Sequence, residues 1–139
     1  MPRKPPSQVR ADLPRAPRSW ESRAVIPGLS GKTLAEIARL EANHRHLGAG
    51  AAHRAFRHWH WTAHQRGPWG VYPEHDQCCD PSTGCRGTLE RVRLSLPRPA
   101  GRELRAVLAP LDERFLARTL NDPFAPPGDP WWCRRLESR

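Results

Sequence analysis

Three of the chain's four cysteines, Cys78, Cys79 and Cys85, lie within eight residues, and His75 precedes the first of them by three positions. Proline, serine, threonine and glycine separate the second cysteine from the third, which is typical of a turn. A segment with helical periodicity and several histidines comes before this stretch, and two segments with apolar stripes come after it. The Cys/His stretch therefore joins two halves of the chain and holds its only concentration of metal-ligand side chains.

Tetrahedral zinc sites combine thiolate and imidazole ligands, often two residues apart, because a tight turn then directs both ligands at one ion. His75 and Cys78 have this spacing, and Cys85 follows the turn and can supply a third ligand. No general base or open coordination position accompanies them, so we expect a structural zinc ion. The predicted metal ligands are His75, Cys78, Cys79 and Cys85, with His60, His64 and Cys133 as further candidates for the fourth position.

Two other interpretations of the cysteines stay open. Cysteines in a core pack as small apolar residues, and the adjacent Cys78 and Cys79 would suit a thiol redox sensor if their pKa were low. No Cys-x-x-Cys motif is present, which weakens the redox interpretation. Zinc is favoured because a chain in which only about 90 residues fold has a marginal core and gains from a metal cross-link.

Two helices are predicted before the cysteines. Thr33-Leu34-Ala35-Glu36 matches a capping box that would start the first helix, and Gly48 and Gly50 would end it. The second spans Ala51 to Gln65 and should bury Ala52, Ala55, Phe56, Trp59 and Ala63, while His53, Arg57, His60 and His64 line an adjacent face. No Glu follows His60 within its His-x-x-x-His pair, so the zinc-protease motif is absent.

Two more helices are predicted after the cysteines. Thr88 opens a short one with Leu89, Val92 and Leu96 on one side, and Pro97 and Pro99 end it. A longer one covers residues 100–120, where Pro110 should kink or split it; its apolar face comprises Leu104, Val107, Leu108, Leu111, Phe115 and Leu116. The predicted fold is all-α, a small bundle of four or five short helices with a Cys/His loop and irregular Pro-rich termini.

These elements suggest one domain with two tails. Residues 1–30 are rich in Pro and Arg and are predicted to be a disordered basic tail. Residues 31–120 form the single helical domain, with the Cys/His loop at 75–85. Residues 121–139 are predicted to be an irregular Pro/Trp tail that docks on the domain, because adjacent tryptophans such as Trp131 and Trp132 seldom stay in water.

The charge distribution suggests an anionic partner. The formal net charge is +9, and 21 of the 23 basic residues are Arg. The excess is +5 in residues 1–32, +3 in residues 33–73 and +1 in the remainder. Such a basic half is typical of nucleic-acid binding, and we expect Arg54, Arg57 and Arg66 to contact phosphates, interleaved with aromatic side chains. Codon bias in a GC-rich genome is the competing explanation of the Arg content.

The sequence suggests a chain that works in the cytoplasm. No run of about 18 apolar residues is present, so no transmembrane helix is expected. The charged N-terminus is not followed by the apolar region of a secretion signal. Reduced thiols are the rule in the cytoplasm, which agrees with metal binding rather than a disulfide framework.

Part of the chain resembles a group of bacterial proteins. The shared pattern consists of Cys78-Cys79-Asp80-Pro81, Gly84-Cys85-Arg86-Gly87-Thr88-Leu89, Arg102-Glu103-Leu104, Leu111-Asp112, Leu116-Ala117-Arg118-Thr119 and Trp131-Trp132. Over about residues 75–135 it is similar to small Arg-rich, Cys-containing proteins of high-GC actinomycetes, whose function is uncharacterised and which carry Cys where His75 stands. The resemblance implies a bacterial cytoplasmic source and transfers no catalytic residues.

Together these patterns predict a non-enzymatic, zinc-stabilised accessory or regulatory module that contacts nucleic acid or a nucleoprotein partner through its basic N-terminal half. The first alternative is a protein-interaction adaptor that uses Trp131, Trp132 and the stripe from Leu104 to Phe115. The second is a thiol redox sensor based on Cys78 and Cys79.

Overall fold

The computed structural model describes residues 25–65 and 81–137. They form four α-helices, α1 (Gly31–Asn43), α2 (Ala51–His64), α3 (Pro81–Ser95) and α4 (Arg98–Ala117), followed by strand β1 (Thr119–Asn121), a 3₁₀ helix (Trp131–Cys133) and strand β2 (Arg135–Glu137). The strands pair antiparallel, with Leu120 opposite Leu136. The prediction of a mainly helical fold is confirmed, and a small two-stranded sheet is added to it.

The core lies where α2, α3 and α4 pack against one another, and α1 lies against α4 and α3. The side chains predicted for the α2 stripe are all buried, as are Leu89, Val92 and Leu96 of α3. Trp59 of α2 and Phe115 of α4 meet at the centre, with their ring centroids 4.7 Å apart. A Cβ at Gly101 would lie 3.0 Å from the backbone oxygen of Arg93. Glycine at this position therefore permits the close approach of α3 and α4.

The start of α1 differs from the prediction. Ser30, not Thr33, is the N-cap, and its hydroxyl oxygen accepts a hydrogen bond from the Thr33 backbone N–H at 3.2 Å. Glu103 of α4 reinforces this end by accepting from the Ser30 N–H at 2.9 Å. The predicted capping-box partner, Glu36, pairs with Arg39 on the surface. The capping box is wrong because a carboxylate from another helix satisfies the helix terminus that Glu36 was expected to serve.

A carboxylate from another helix also serves α2. Gly50, in a left-handed conformation with φ of 75°, precedes the helix and has no capping side chain. Instead, Glu41 of α1 accepts hydrogen bonds from the backbone N–H groups of Gly50 and Ala52, at 2.8 and 2.9 Å. A buried carboxylate at this position satisfies orphan donors and complements the helix dipole. Helix α1 ends at Asn43, earlier than predicted, because His44 adopts an extended conformation.

The predicted Cys/His loop at 75–85 is wrong in its last part. Helix α3 begins at Pro81, seven residues before the predicted start at Thr88, so Cys85 lies within a helix and is buried. Proline suits a first helical turn, where its missing N–H has no intrahelical partner. Residues 75–80, including His75, Cys78 and Cys79, lie outside the described residues.

The C-terminal part also differs from the prediction. Pro110 does not split α4, which is continuous from Arg98 to Ala117. The helix ends three residues before the expected Leu120 because Thr119 begins β1. The segment after it, predicted to be irregular, contains the 3₁₀ helix and β2. Of the predicted tail 1–30, residues 1–24 lie outside the described part, and Ile26 is buried in the core.

Arg86 of α3 joins most of these elements. It is 6% exposed, and its guanidinium forms two hydrogen bonds with the Asp112 carboxylate of α4, both at 2.9 Å. Trp59 of α2 donates its indole N–H to the same carboxylate at 2.9 Å. The guanidinium also lies 4.7 Å from the ring centroid of Trp132. One buried charge pair therefore connects α2, α3, α4 and the 3₁₀ helix.

Glu90, one helical turn after Arg86, completes this network. It accepts a hydrogen bond from Arg86 at 3.1 Å and also pairs with Arg93. Hydrogen bonding from Arg93 and then Arg86 lowers the pKa of the Glu90 carboxyl, against the opposing effect of partial burial. Glu90 is therefore held in its charged form.

We expect Asp112→Ala to lower the free energy of unfolding by about 3–5 kcal/mol. The substitution removes two of the three carboxylate hydrogen bonds of the buried Arg86, leaving only the one to Glu90, and it removes the acceptor of the Trp59 indole N–H. The measurement is urea unfolding followed by tryptophan fluorescence and circular dichroism. Arg39→Ala is the matched control: it removes an exposed ion pair with Glu36 and should change the same free energy by less than about 1 kcal/mol. Equal effects of the two substitutions would contradict the central role of Asp112.

Candidate functional site

One side of α2 borders a groove of about 680 Å³ that Val25 and Pro27 also line. Its polar lining comprises Gln65 and the four residues predicted to share a face of this helix, His53, Arg57, His60 and His64. Phe56 and Trp61 supply aromatic surface. The sequence-based prediction of this face is confirmed, because steps of three and four residues bring side chains together on a helix.

The groove residues are placed by a helix that is held at both ends. Glu41 binds the N–H groups at the N-terminal end of α2, as described above. At the other end, Arg118 donates to the backbone oxygens of Gln65, at 2.8 Å, and of Thr62. A cation at the carbonyl end complements the helix dipole. Trp59 anchors the buried side of the same helix through Asp112, so the groove has one rigid wall.

His60 and His64 stack, with their ring centroids 4.1 Å apart and their planes 24° from parallel. Nδ1 of His64 lies 2.7 Å from the backbone oxygen of His60. Because a carbonyl oxygen accepts only, Nδ1 carries the hydrogen and the neutral ring presents Nε2 as an acceptor. The pair can therefore bind through ring faces, or through ring nitrogens at their edges.

Two groove histidines are held towards the neutral form. The pKa of His60 lies below its ordinary value because of desolvation by partial burial, and then because of repulsion by His64 and Arg114. The pKa of His53 is lowered by partial burial and then by Arg57 and Arg54. The charged neighbours of His60 are basic, and those of His53 are two arginines and Glu41, whose opposing effect is smaller. The groove therefore has a positive environment.

None of the groove-lining residues is acidic. Cationic neighbours penalise a further positive charge and favour a negative one. This argues for an anionic ligand over a metal ion at His60 and His64, which provide only two side-chain ligands. Among residues 25–65 and 81–137, no group of three His, Cys, Asp or Glu side chains is arranged to hold a metal ion.

The predicted zinc ligands are only partly within the described structure. His75, Cys78 and Cys79 lie outside it. Cys85 is buried in the core cluster on α3, and Cys133 is half-buried in the 3₁₀ helix. The burial of Cys85 suits a packing role as well as a ligand role, so the zinc site stays a prediction.

The predicted phosphate contacts differ in their placement. Arg57 lines the groove. Arg54 donates to the backbone oxygen of Ala49 at 2.9 Å, which ties it to the loop before α2. Arg66 lies outside the described residues. Sequence reasoning assigned Phe56 to the core alone and missed Val25 and Pro27 as groove residues, because no periodic pattern connects residues 25–27 to α2.

The tryptophan pair of the adaptor interpretation packs within the chain. Trp132 is 9% exposed and faces Arg86, while the half-buried Trp131 lies 6.3 Å from Phe115 between ring centroids. Leu104, Leu108 and Phe115 of the apolar stripe are fully buried. A partner would have to displace core contacts to reach Trp132 and the buried stripe, whereas Trp131 keeps part of its surface exposed.

Comparisons with protein-family models, with curated proteins and with solved structures found no match. Within the described residues, no helix combines the length and apolar character needed to cross a membrane.

We expect the pKa of His60 to lie below 6.5 and to rise in His64→Gln, because the substitution removes a like charge from the stacked ring. With a lowered pKa, the folded chain binds fewer protons than the unfolded chain, so His60 makes folding less favourable as the pH falls through 6.5. Nitrogen-15 NMR titration of the imidazoles measures the pKa directly. Arg102→Ala, an exposed change on α4, should leave it unaltered, and a wild-type pKa of 6.5 or above would contradict the prediction.

Proposed function

We propose that the chain is a non-enzymatic accessory or regulatory module that binds single-stranded nucleic acid in the α2 groove. The observation that carries this proposal is the combination, in one groove, of a guanidinium, three imidazoles and two aromatic rings without a carboxylate. Single-stranded nucleic acids are bound by such pairings, in which cations contact phosphates and aromatic faces stack on bases.

The size of the groove favours one or a few unstacked nucleotides over a duplex. Its volume of about 680 Å³ is in the range of sites that bind small molecules. The half-buried Trp61 offers apolar ring surface to an unstacked base. A duplex, by contrast, buries its base faces and presents only edges and backbone. Arg57 is the phosphate contact within the groove, and Arg54 and Arg66 remain the further phosphate contacts predicted from the sequence.

The histidines add a dependence on pH. A bound phosphate counteracts the cationic neighbours that lower the pKa of His53 and His60. Binding therefore takes up protons, and affinity rises as the pH falls towards the lowered pKa values of His53 and His60 in the free chain.

Zinc has a structural role in this proposal. The zinc ion, held by His75, Cys78, Cys85 and a fourth ligand, would fix the segment between α2 and α3. Cys85 lies in the first turns of α3, so a ligand there would connect the metal to the packed core. The chemistry supplied by the metal is cross-linking, and no reaction is assigned to it.

Arg57→Ala and Trp61→Ala should weaken binding of a fluorescein-labelled oligo(dT) in different ways. Loss of one phosphate contact reduces the slope of log K against log salt by about 0.7 for a single strand. Loss of a stacking ring costs about 1–3 kcal/mol and leaves that slope unchanged. Fluorescence anisotropy across a salt series separates the two effects.

Arg102→Ala is the control for this experiment, because it removes an equal charge from an exposed position on α4. It should reduce the affinity much less than Arg57→Ala. The proposal fails if the wild-type chain does not bind the oligonucleotide at low salt, or if Arg102→Ala and Arg57→Ala weaken binding equally.

We expect protein purified without added metal to contain one zinc ion per chain, measured by inductively coupled plasma mass spectrometry. Cys78→Ser should lose the metal because thiolate is a predicted ligand, whereas Ser95→Ala, which changes an exposed residue at the end of α3, should keep it. Chelation should then lower the melting temperature of the wild-type chain. An absence of zinc would assign Cys85 to core packing alone.

A further inference from the structure

A second, smaller groove lies beside the C-terminal strands. It has a volume of about 330 Å³ and is lined by Leu116, Asn121, Trp131, Arg134 and Arg135, which we name the hairpin groove. None of these residues lines the α2 groove. Its lining contains two guanidinium groups and no carboxylate, so its chemistry also favours an anionic group.

The two arginines of the hairpin groove differ in what they bind. Arg135 donates to the hydroxyl of Thr119 at 3.0 Å and to the backbone oxygen of Leu116 at 3.1 Å, so it holds the sheet to the end of α4. Nε of Arg134 is buried and has no hydrogen-bond acceptor among the described residues. Buried donors on charged groups are normally satisfied. A carboxylate is the acceptor that matches a guanidinium best.

Apolar surface adjoins this charge. Four of the six large apolar side chains exposed in the described structure fall between residues 116 and 136: Leu116 (39%), Leu120 (59%), Phe124 (93%) and Leu136 (47%). Leu120 and Leu136 are register partners, so they stand side by side on one face of the sheet. Clustered exposed apolar side chains mark interaction sites.

We propose that the hairpin groove and the adjoining face of Leu120 and Leu136 bind an extended peptide segment of another protein that carries acidic and aliphatic side chains. Among the described residues the sheet has only two strands, so each strand has an edge without a strand neighbour. An extended peptide can add to such an edge and place alternate side chains in the groove. The aliphatic residues cover the leucines, and a carboxylate accepts from Arg134.

Charge argues against a second copy of this chain as the occupant, and apolar surface argues against a nucleic acid. A second copy of a chain with a net charge of +9 would bring like charges together at Arg134 and Arg135. A nucleic acid would satisfy the guanidinium but would leave the aliphatic pair Leu120 and Leu136 in water, because its phosphates and sugars are polar. The acidic, aliphatic peptide satisfies both requirements.

The test uses the full chain, labelled with nitrogen-15, and a capped nonapeptide with Glu, Leu and Glu at alternate positions separated by Ser. In an extended conformation these three side chains share one face. NMR titration should shift the signals of residues 116–136, including the Arg134 Nε–H and the Trp131 indole N–H. A peptide with Lys in place of both Glu residues is the matched control and should bind at least tenfold more weakly.

Two variants separate the charged and apolar contributions. Arg134→Ala should weaken binding of the Glu peptide at least tenfold and reduce the difference between the Glu and Lys peptides. The double variant Leu120→Ser, Leu136→Ser should weaken both peptides, and Arg102→Ala should leave both affinities unchanged. The amide spectrum of each variant verifies its fold, and Leu116→Ser replaces the double leucine variant if that variant fails to fold.

The proposal is overturned by equal affinity for the Glu and Lys peptides, by shifts confined to other parts of the chain, or by wild-type affinity in Arg134→Ala. Concentration-dependent dimerisation that Leu120→Ser, Leu136→Ser abolishes would assign the face to a second copy instead. Loss of oligonucleotide binding in Arg134→Ala, with Arg57→Ala unaffected, would assign the groove to nucleic acid. Failure of the peptide experiment alone leaves the α2 groove proposal intact, because the two grooves share no lining residue.

Discussion

The buried pair of Arg86 and Asp112 is the interaction on which the rest of this structure depends. A guanidinium removed from water is costly unless its charge and its donors are matched. Here a carboxylate from α4 meets it with two hydrogen bonds, Glu90 adds a third, and the Trp132 ring covers it. These partners lie on three different elements: Asp112 on α4, Glu90 on α3 and Trp132 in the 3₁₀ helix. The arrangement of α3, α4 and the 3₁₀ helix is therefore coupled to the burial of one side chain.

Acidic residues have a related role at the helix ends. The chain has 14 acidic residues against 23 basic ones. Glu41 and Glu103, from α1 and α4, hold the N-terminal ends of α2 and α1. Several carboxylates are thus committed to contacts within the fold, whereas many arginines lie at the surface. The positive environment of the α2 groove follows from this unequal use of charge, whatever the origin of the Arg content.

Much of the helical fold could be predicted because it depends on local periodicity. The α2 stripe and its His/Arg face follow from steps of three and four residues, and the structure places them as expected. The capping box failed because Glu103, 73 positions from Ser30, supplies the carboxylate. Arg86 was unrecognised for the same reason: nothing near it in sequence distinguishes it from 20 other arginines. The strands were not predicted because three-residue segments are too short to show the alternation of apolar and polar residues that indicates a strand.

The contact between Arg86 and Trp132 also has a consequence for the order of events during synthesis. At about 5–20 residues per second, Trp132 is added several seconds after Arg86. Until then the face of the guanidinium has no Trp132 ring over it. The last contact of the network is therefore made by a ring that arrives from the ribosome after every helix of the bundle. The time at which this contact can form therefore depends on how long the ribosome takes to translate the codons between Arg86 and Trp132.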